Sequence, residues 1–407
     1  MENSLSSNKV KRKNLGALFF TKLIHGFGTG MFAVIYQPYL NTLTNSIVLT
    51  GLFITIGTIF QFIPMPLIGK LSDKFNRKYL LISSIPIYIV GLLLLISANP
   101  SNLYFALFGI IFYFLGFIIN NLNAQFLIAE NSNKSKGKVF GFMFFSYFGG
   151  TIAGNIFIIL GKGFDSRFYM TFFIFLLIIE ELFFIFFISV EKQSNSNQKI
   201  QKNNINTEKE NMWVKIFKIK TLRMILIFFT LDIFVYGISL SIYSGGLNAY
   251  YQLTPDNIAF VSLWFNIGNV VFQIPAGHIT DKIGNKKALI LSQFFGFGFF
   301  LINIISIILW MNFIRHTLVI ILSVGYFLFS LSVCTFIPAE QIILTNLGEN
   351  QKAESYGIVS FFRGIGLIPT GIFGGLMVEN IHYIAPFIFS VVGLFFELLF
   401  LVKYFQD

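Results

Sequence analysis

Apolar residues fill long blocks of this chain, and short polar segments separate one block from the next. An α-helix rises 1.5 Å per residue, so roughly 20 apolar residues cross the hydrocarbon core of a bilayer, which is about 30 Å thick. The blocks have about this length and recur from end to end. They predict twelve membrane-spanning helices, at residues 15–40, 47–68, 78–98, 103–129, 138–160, 168–190, 222–250, 257–278, 287–310, 317–346, 353–378 and 383–404.

The composition excludes the main alternative, a soluble protein with one large core. The 407 residues are 55% hydrophobic and 12% charged, with a mean hydropathy of +0.74, whereas a soluble domain carries roughly 25% charged residues. The first apolar block continues from Leu15 past Tyr36, which is too long for the apolar region of a signal peptide. We therefore expect an all-α membrane protein of twelve transmembrane helices, with the lipid bilayer as its partner.

Lys and Arg are divided unequally between the two sets of loops. One set, which includes both termini, carries 24 of them and the other carries three, Lys162, Arg167 and Arg315. Basic loops stay in the cytoplasm, so we predict a multi-pass protein of the cell membrane with both termini in the cytoplasm. This topology also explains the net charge of +11 without a nucleic-acid partner.

Sequence repeats divide the chain into two halves. A polar, low-complexity linker, residues 191–221, separates a predicted N-terminal six-helix bundle, residues 1–190, from a C-terminal one, residues 222–407. The strings GKLSDKFNRKY and GHITDKIGNKK follow the second span of each half and start 208 positions apart. Parallel six-helix repeats are one plan on which transporters are built.

At these strings the chain resembles the major facilitator superfamily. That family's loop signature is Gly-x-Leu-Ala-Asp-basic-x-Gly-basic-basic. The first copy matches it at Gly69, Leu71, Asp73, Lys74, Arg77 and Lys78, and the second at Gly277, Asp281, Lys282, Gly284 and Lys286. Asn76 replaces the second glycine of the first copy, and asparagine tolerates a left-handed backbone. The resemblance implies a fold of two pseudo-symmetric six-helix bundles.

The resemblance also implies a role for the first string, residues 69–78, which we call the latch loop. In the family this loop is a cytoplasmic latch between the halves, which holds the outward-open state. Its glycine lets two helices approach closely, and its aspartate, here Asp73, faces the positive end of a helix. Arg77 is placed to bridge Asp73 to Glu130, at the inner end of the fourth span. The alternative is that these charges are solvated and only orient the loop.

Ionisable residues within the spans are functional candidates, because charge at membrane depth is costly. Lys22 lies nine residues after Lys13 and Asp232 nine residues after Arg223, so each is about 13 Å deep in counterpart spans. Their opposite charges predict a pair across a central cavity, with His25 one helical turn beyond Lys22. The alternative is that Lys22 extends its long side chain to the membrane surface.

Further polar groups lie at similar depth. Arg363 and Glu340, in neighbouring spans, can pair with each other or meet a substrate. Asn120 and Asn123 are expected to face protein or a water-filled cavity. The acids of the sixth and twelfth spans are expected to serve packing, or to be protonated carboxyl groups that face their neighbours; they are Glu180, Glu181 and Glu397.

The absence of several sequence motifs reduces the number of possible function classes. The chain has no phosphate-binding loop of the Gly-x-x-x-x-Gly-Lys type, no metal-binding motif and no cluster of catalytic side chains, so we expect neither an enzyme nor a cofactor. A channel usually assembles several subunits around a pore, whereas this chain has two internal halves, so we expect it to function as a monomer. The remaining class of function is secondary transport of a small molecule by alternating access. We expect proton-coupled efflux of small, lipophilic compounds by an antiporter; the alternative is an uptake symporter for a sugar, peptide or organic acid.

Overall fold

The computed structural model describes residues 2–132, 136–189, 220–347 and 352–404 of the chain. The described part consists of α-helices, one 3-10 turn at Trp310–Asn312, and short connections. The helices are α1 (Glu2–Thr44), α2 (Ile47–Phe62), α3 (Met65–Lys74), α4 (Arg77–Ser97), α5 (Leu103–Asn131), α6 (Lys136–Leu160), α7 (Ser166–Phe187), α8 (Lys220–Leu240), α9 (Tyr243–Tyr251), α10 (Pro255–Ile283), α11 (Asn285–Leu309), α12 (Arg315–Leu347), α13 (Lys352–Leu367), α14 (Thr370–Asn380) and α15 (Ala385–Tyr404).

These helices form twelve spans that are long and apolar enough to cross a membrane, which confirms the predicted all-α membrane fold. Spans 1, 3, 4, 5 and 6 are α1, α4, α5, α6 and α7, and spans 8, 9, 10 and 12 are α10, α11, α12 and α15. Spans 2, 7 and 11 are each made of two consecutive helices: α2 with α3, α8 with α9, and α13 with α14. Most of the predicted linker lies outside the described residues.

Proline explains two of the three breaks within spans. Pro64 and Pro369 are the residues that precede α3 and α14, and neither can donate a backbone hydrogen bond to the preceding turn. The third break, at Ser241 and Ile242 in span 7, has no proline beside it.

Glycines allow the helices of the first half to pack closely. A Cβ atom at Gly150 in span 5 would lie 2.1 Å from the carbonyl oxygen of Leu23, and one at Gly154 would lie 2.4 Å from that of Phe27. Spans 1 and 5 therefore touch backbone to backbone, which fixes the depth at which the polar side chains of span 1 meet their neighbours.

Hydrogen bonds join the two halves on the side of the membrane opposite to the termini, which we call the far side. Gln37 of span 1 donates to the carbonyl oxygen of Ser241 and accepts from Gly245 N–H, at 2.9 Å each. Glu379 of span 11 accepts from Ser46 Oγ at 2.9 Å and from Val48 N–H at 3.2 Å.

Spans 2 and 11 also meet closely in this region. Thr55 Oγ1 accepts a hydrogen bond from Ile372 N–H at 3.0 Å. A Cβ atom at Gly51 would lie 2.1 Å from the carbonyl oxygen of Gly371. The structure is therefore closed on the far side.

The opposite is found on the side that carries both termini, which we call the terminal side. No described atom lies within 4 Å of a Cβ atom built on Gly69 or on Gly277. The close helix approach expected at these two glycines is therefore absent from this structure.

Candidate functional site

The first half contains a buried polar cluster around His25 of span 1. His25 Nδ1 lies 3.0 Å from Glu180 Oε2 of span 6, and both side chains are only 2% exposed. Glu180 Oε1 accepts a hydrogen bond from Asn120 Nδ2 of span 4 at 3.2 Å. Tyr88 OH of span 3 lies 3.4 Å from His25 Nε2. Four spans thus contribute to this group, which we call the His25 cluster.

The chemistry of the partners fixes the direction of these hydrogen bonds. An ionised carboxylate only accepts, so His25 Nδ1 donates to Glu180. In the neutral imidazole, Nε2 then accepts from the hydroxyl of Tyr88.

Lys22 lies one helical turn from His25, beside a cavity of about 180 Å³. Its Nζ atom is 3.5 Å from Asn121 Oδ1, which also accepts from Gln125 Nε2 at 3.4 Å. The cavity is lined by these three polar residues together with His25, Phe117, Ile128, Phe140, Met143, Phe144 and Tyr147. A few polar groups among apolar and aromatic walls are typical of a small-molecule site.

The predicted pairing of Lys22 with Asp232 is wrong for this structure. Lys22 is 8% exposed, hydrogen bonds to Asn121, and has Glu180 and not Asp232 as the acid that acts on its charge. Its amino group also does not extend to the membrane surface, which was the alternative. Asp232 instead bonds within the second half, as described next. Equal depth counted along the sequence gave no information on the direction of either side chain.

The second half contains a corresponding polar cluster around Asp232 of span 7. Asp232 Oδ1 accepts a hydrogen bond from Gln293 Nε2 of span 9 at 2.8 Å. Gln293 Oε1 in turn accepts from Tyr236 OH at 3.2 Å. Glu397 of span 12 is 3% exposed, interacts with Asp232, and has no hydrogen-bond donor for either carboxyl oxygen among the described residues. We call this group the Asp232 cluster.

Arg363 and Glu340 pair with each other next to this cluster, as one of the two sequence interpretations expected. Arg363 Nη1 donates to Glu340 Oε1, and the guanidinium lies 5.7 Å from the ring centroid of Phe336. The Glu340 side chain is 5% exposed and that of Arg363 is 26% exposed.

The two clusters occupy equivalent places in the repeats. Asp232 follows His25 by 207 positions, and Glu397 follows Glu180 by 217 positions. In each half, an ionisable residue of the first span therefore faces an acid of the last span. The sequence interpretation did not name this relation, since it expected both acids either to serve packing or to be protonated carboxyl groups that face their neighbours. The available signal was their position relative to His25 and Asp232 in the repeats.

The structure does not bring Asn123 into either cluster. Its Nδ2 donates to the carbonyl oxygen of Ile119 at 2.7 Å, and its buried Oδ1 has no partner among the described residues. Tyr88, Tyr147 and Gln293 are contributors that the sequence interpretation did not select, because a lone tyrosine or amide in an apolar run is a common feature.

The latch loop forms contacts within the first half. Arg77 forms an ion pair with Glu130, and its guanidinium lies 5.1 Å from the ring centroid of Phe126. Both partners belong to span 4, so the contact expected between Arg77 and Glu130 is present. The side chain of Asp73 lies outside the described residues. Asn76 does not adopt the expected left-handed backbone: its φ is −67°, and its side chain caps α4 by accepting from Lys78 N–H at 3.0 Å.

The last basic position of the family signature, Lys78 in the first string and Lys286 in the second, anchors the end of a distant span. Lys78 Nζ donates to the carbonyl oxygens of Ile185 and Ile188, at 2.8 and 2.7 Å, near the end of span 6. Lys286, its counterpart 208 positions on, donates to the carbonyl oxygen of Val402, near the end of span 12, at 3.2 Å. A cation near the last carbonyl groups of a helix is favourable, since they are the negative end of its dipole.

The other loop residues make fewer contacts. Asp281 is exposed and has no hydrogen bond or ion pair with any described residue, and Lys74 and Lys282 are exposed as well. Gly284 has a φ of +84°, a conformation that favours glycine, and it separates α10 from α11.

Twelve apolar helices, two repeated halves and a buried polar cluster in each half define the class of protein as a multi-pass membrane transporter. The family model described as Major Facilitator Superfamily matches residues 18–245 and 224–407, so the chain belongs to this family.

Two relatives align with almost the full chain. The Multidrug resistance protein 2 of Bacillus subtilis (strain 168) is 24% identical over 94% of this chain and 94% of its own length. The Proton-coupled antiporter flippase LtaA of Staphylococcus aureus (strain USA300) is 23% identical over 99% of both chains.

Solved structures agree on the fold. The chain matches a D-xylose-proton symporter with a TM-score of 0.74 and 14% identity, over 97% of this chain and 98% of that one. It matches the nucleoside transporter NupG with a TM-score of 0.73 and 13% identity, over 97% and 98%. At this identity the likeness establishes the fold and nothing about the substrate.

Proposed function

We propose that the protein is a proton-coupled antiporter that exports small, lipophilic compounds from the cytoplasm by alternating access. The observation that carries this proposal is the cavity beside Lys22, in which three polar residues face apolar and aromatic walls. Such a surface fits a compound with an apolar body and one group that accepts a hydrogen bond from Lys22. The names of the two relatives, a multidrug resistance protein and a proton-coupled antiporter flippase, support export with proton antiport over uptake.

The far-side closure gives the direction of access. The terminal side, which carries nearly all the Lys and Arg of the loops, is the cytoplasmic side in this proposal. The closed far side then faces the exterior, and the structure corresponds to a state that loads from the cytoplasm. This is the state in which a latch that holds the outward-open form is released, which agrees with the free space around Gly69 and Gly277.

The latch residues have a consistent role in this cycle. Arg77 and Lys78 tie the first string to spans 4 and 6, so that the string moves with the first half as a rigid unit. When the cytoplasmic ends close, Gly69 and Gly277 supply the small surfaces that allow helices to meet. Asp73 and Asp281 are then the anions available to partners in the opposite half.

A reconstituted transport assay tests the proposal. Purified protein in liposomes, with a proton gradient imposed across the membrane, is screened with lipophilic cations, anions and neutral compounds and, separately, with sugars and short peptides. We expect a lipophilic compound to move against the direction of proton flow, and Lys22→Gln to weaken its transport through the loss of the Lys22 charge. Lys162→Gln, a change in a loop away from the cavity, is the matched control.

Two outcomes would contradict the proposal. Movement of a sugar or peptide in the same direction as the proton would establish the uptake symporter. Equal transport by Lys22→Gln and Lys162→Gln would remove Lys22 and its cavity from the substrate path.

A further inference from the structure

We propose that Asp232 and Glu397 share one proton and together form the proton-binding site that couples transport in the second half. This inference rests on the proposed function, since it assigns the coupling proton to a place in the structure. The evidence is the facing geometry of the two carboxyl groups, the charge balance around them and the missing donor for Glu397.

Contacts between spans 7 and 12 place the two carboxyl groups opposite each other. The two helices run antiparallel, so that a lower residue number in span 7 lies opposite a higher residue number in span 12. Ser239 Oγ lies 2.7 Å from Ser390 Oγ, and a Cβ atom on Gly393 would meet the side chain of Val235 at 2.6 Å. The next turn in the same register brings Asp232 to Glu397, which agrees with the interaction of the two groups.

The charges around the pair do not balance unless a proton is bound. The titratable or charged groups that act on Asp232 are Tyr236 on its own span, Glu340 on span 10, Arg363 on span 11 and Glu397 on span 12. Arg363 is the one cation in this set, and it already forms an ion pair with Glu340. Two neighbouring carboxyl groups at 5% and 3% exposure then remain without a cation of their own. Because like charges at short range and at such burial cannot both persist, one carboxyl group holds a proton.

The donors available to the pair indicate where that proton lies. Asp232 already accepts from Gln293 at 2.8 Å, which stabilises its ionised form. Glu397 has no donor for either oxygen among the described residues. A proton on Glu397 would allow its hydroxyl to donate to Asp232, so that one hydrogen bond satisfies both groups.

The His25 cluster differs in this respect. There the acid, Glu180, has Asn120 and His25 as donors and Lys22 as a nearby cation. Glu180 therefore has two hydrogen-bond donors, whereas Glu397 has none among the described residues. The equivalent positions of the two halves thus carry different chemistry, with the balanced cluster at the substrate cavity and the proton-holding pair in the other half.

Loss of the proton would act on the contact between the halves. It would leave two anions beside Arg363 and draw the guanidinium from Glu340 toward Asp232. The next residue, Gly364, packs on Phe62 of span 2, where an added Cβ atom would lie 2.4 Å from the ring. Proton release would therefore shift span 11 at the place where it touches the first half.

Infrared spectroscopy of the purified protein tests the bound proton directly, without a transport assay. A protonated carboxyl group has a carbonyl stretch that a carboxylate lacks. We expect this band at neutral pH in the unmodified protein and its loss in Glu397→Gln. Glu181→Gln, at the adjacent acid of the other half, is the matched control and should retain the band. The exchange variant Asp232→Glu with Glu397→Asp keeps two carboxyl groups and should retain it as well.

Two transport measurements separate this inference from the proposed function. Exchange of labelled for unlabelled solute needs no change in proton occupancy, so Glu397→Gln should keep it while losing transport driven by a proton gradient. If Glu397→Gln keeps the band, or keeps proton-driven transport, the inference is overturned. If the unmodified protein exchanges solute but ignores the proton gradient, while the band is lost in Glu397→Gln, the proposed antiport fails and the pair is a bound-proton site without a coupling role.

Discussion

At the scale of the residue, the His25 cluster shows how neighbouring side chains satisfy a buried acid within the membrane. His25 and Glu180 are both 2% exposed and bond at 3.0 Å, with Asn120 and Tyr88 as further partners. A buried pair of this kind adds little net stability over apolar groups, but removal of one partner leaves an uncompensated charge.

This asymmetry predicts the outcome of a double-mutant cycle at His25 and Glu180. His25→Leu should destabilise the protein by roughly 1–3 kcal/mol, because Glu180 Oε2 then loses its hydrogen-bond donor in a buried site. Adding Glu180→Gln should restore part of this loss by removing the charge. Thermal unfolding in detergent provides the measurement, and Tyr88→Phe, expected to cost about 1 kcal/mol, is the control. Additive effects of the two changes would show that His25 and Glu180 do not act as a pair.

At the scale of the element, glycine contacts decide which side of the molecule is closed. Gly371 in span 11 lies against span 2, where an added Cβ atom would be 2.5 Å from the carbonyl oxygen of Gly51 and 2.9 Å from Thr55 Oγ1. Gly69, at the terminal-side end of the same span 2, has no described atom within 4 Å of the corresponding position. Span 2 thus has a glycine in close contact with span 11 at its far-side end, Gly51, and a glycine without such a contact at its terminal-side end, Gly69.

This difference predicts opposite effects of the same substitution. Gly371→Ala should disfavour the far-side-closed state, because the methyl group overlaps backbone atoms that cannot move independently. Gly69→Ala should leave this state populated or increase its population. Spin labels at Ser101→Cys and Thr254→Cys, one on the far side of each half, in a Cys334→Ala background, measure the separation. A longer far-side distance in Gly69→Ala than in Gly371→Ala would refute this explanation of the closure.

At the scale of the whole molecule, the arrangement combines a twelve-span shell with two polar clusters at equivalent places. The shell can be lipid-facing and apolar because both polar clusters are buried in its interior. The distribution of Lys and Arg then orients the assembly in the membrane. The only cysteine, Cys334, is fully buried, so that cysteines introduced elsewhere can be labelled selectively.

The orientation leads to a labelling prediction. In a Cys334→Ala background, Ser101→Cys should react with a membrane-impermeant reagent added outside intact cells. Lys74→Cys, also exposed but on the terminal side, should react only after the membrane is opened. The reversed pattern would place the termini outside and would reverse the direction of transport proposed here.

The sequence by itself determined the spans, the repeats and the family, because these depend on local or periodic properties. Span length follows from the thickness of the bilayer and the rise of a helix, so blocks such as residues 103–129 matched α5 (Leu103–Asn131) closely. The pairing of Arg77 with Glu130 was also accessible, since both lie at the same membrane surface in a recognisable motif.

Only the tertiary structure decided which buried charges meet. Depth along a helix can be counted from the sequence, but the direction of a side chain around the helix depends on how its neighbours pack. Lys22 and Asp232 therefore have equal depths when counted along the sequence and yet bond to different partners. Lys22 bonds to Asn121 in the first half, and Asp232 bonds to Gln293 in the second. The sequence likewise left open whether Glu180 and Glu397 serve packing or are protonated carboxyl groups that face their neighbours. Whether an acid on an outer helix faces lipid or the interior is decided by contacts between spans distant in sequence.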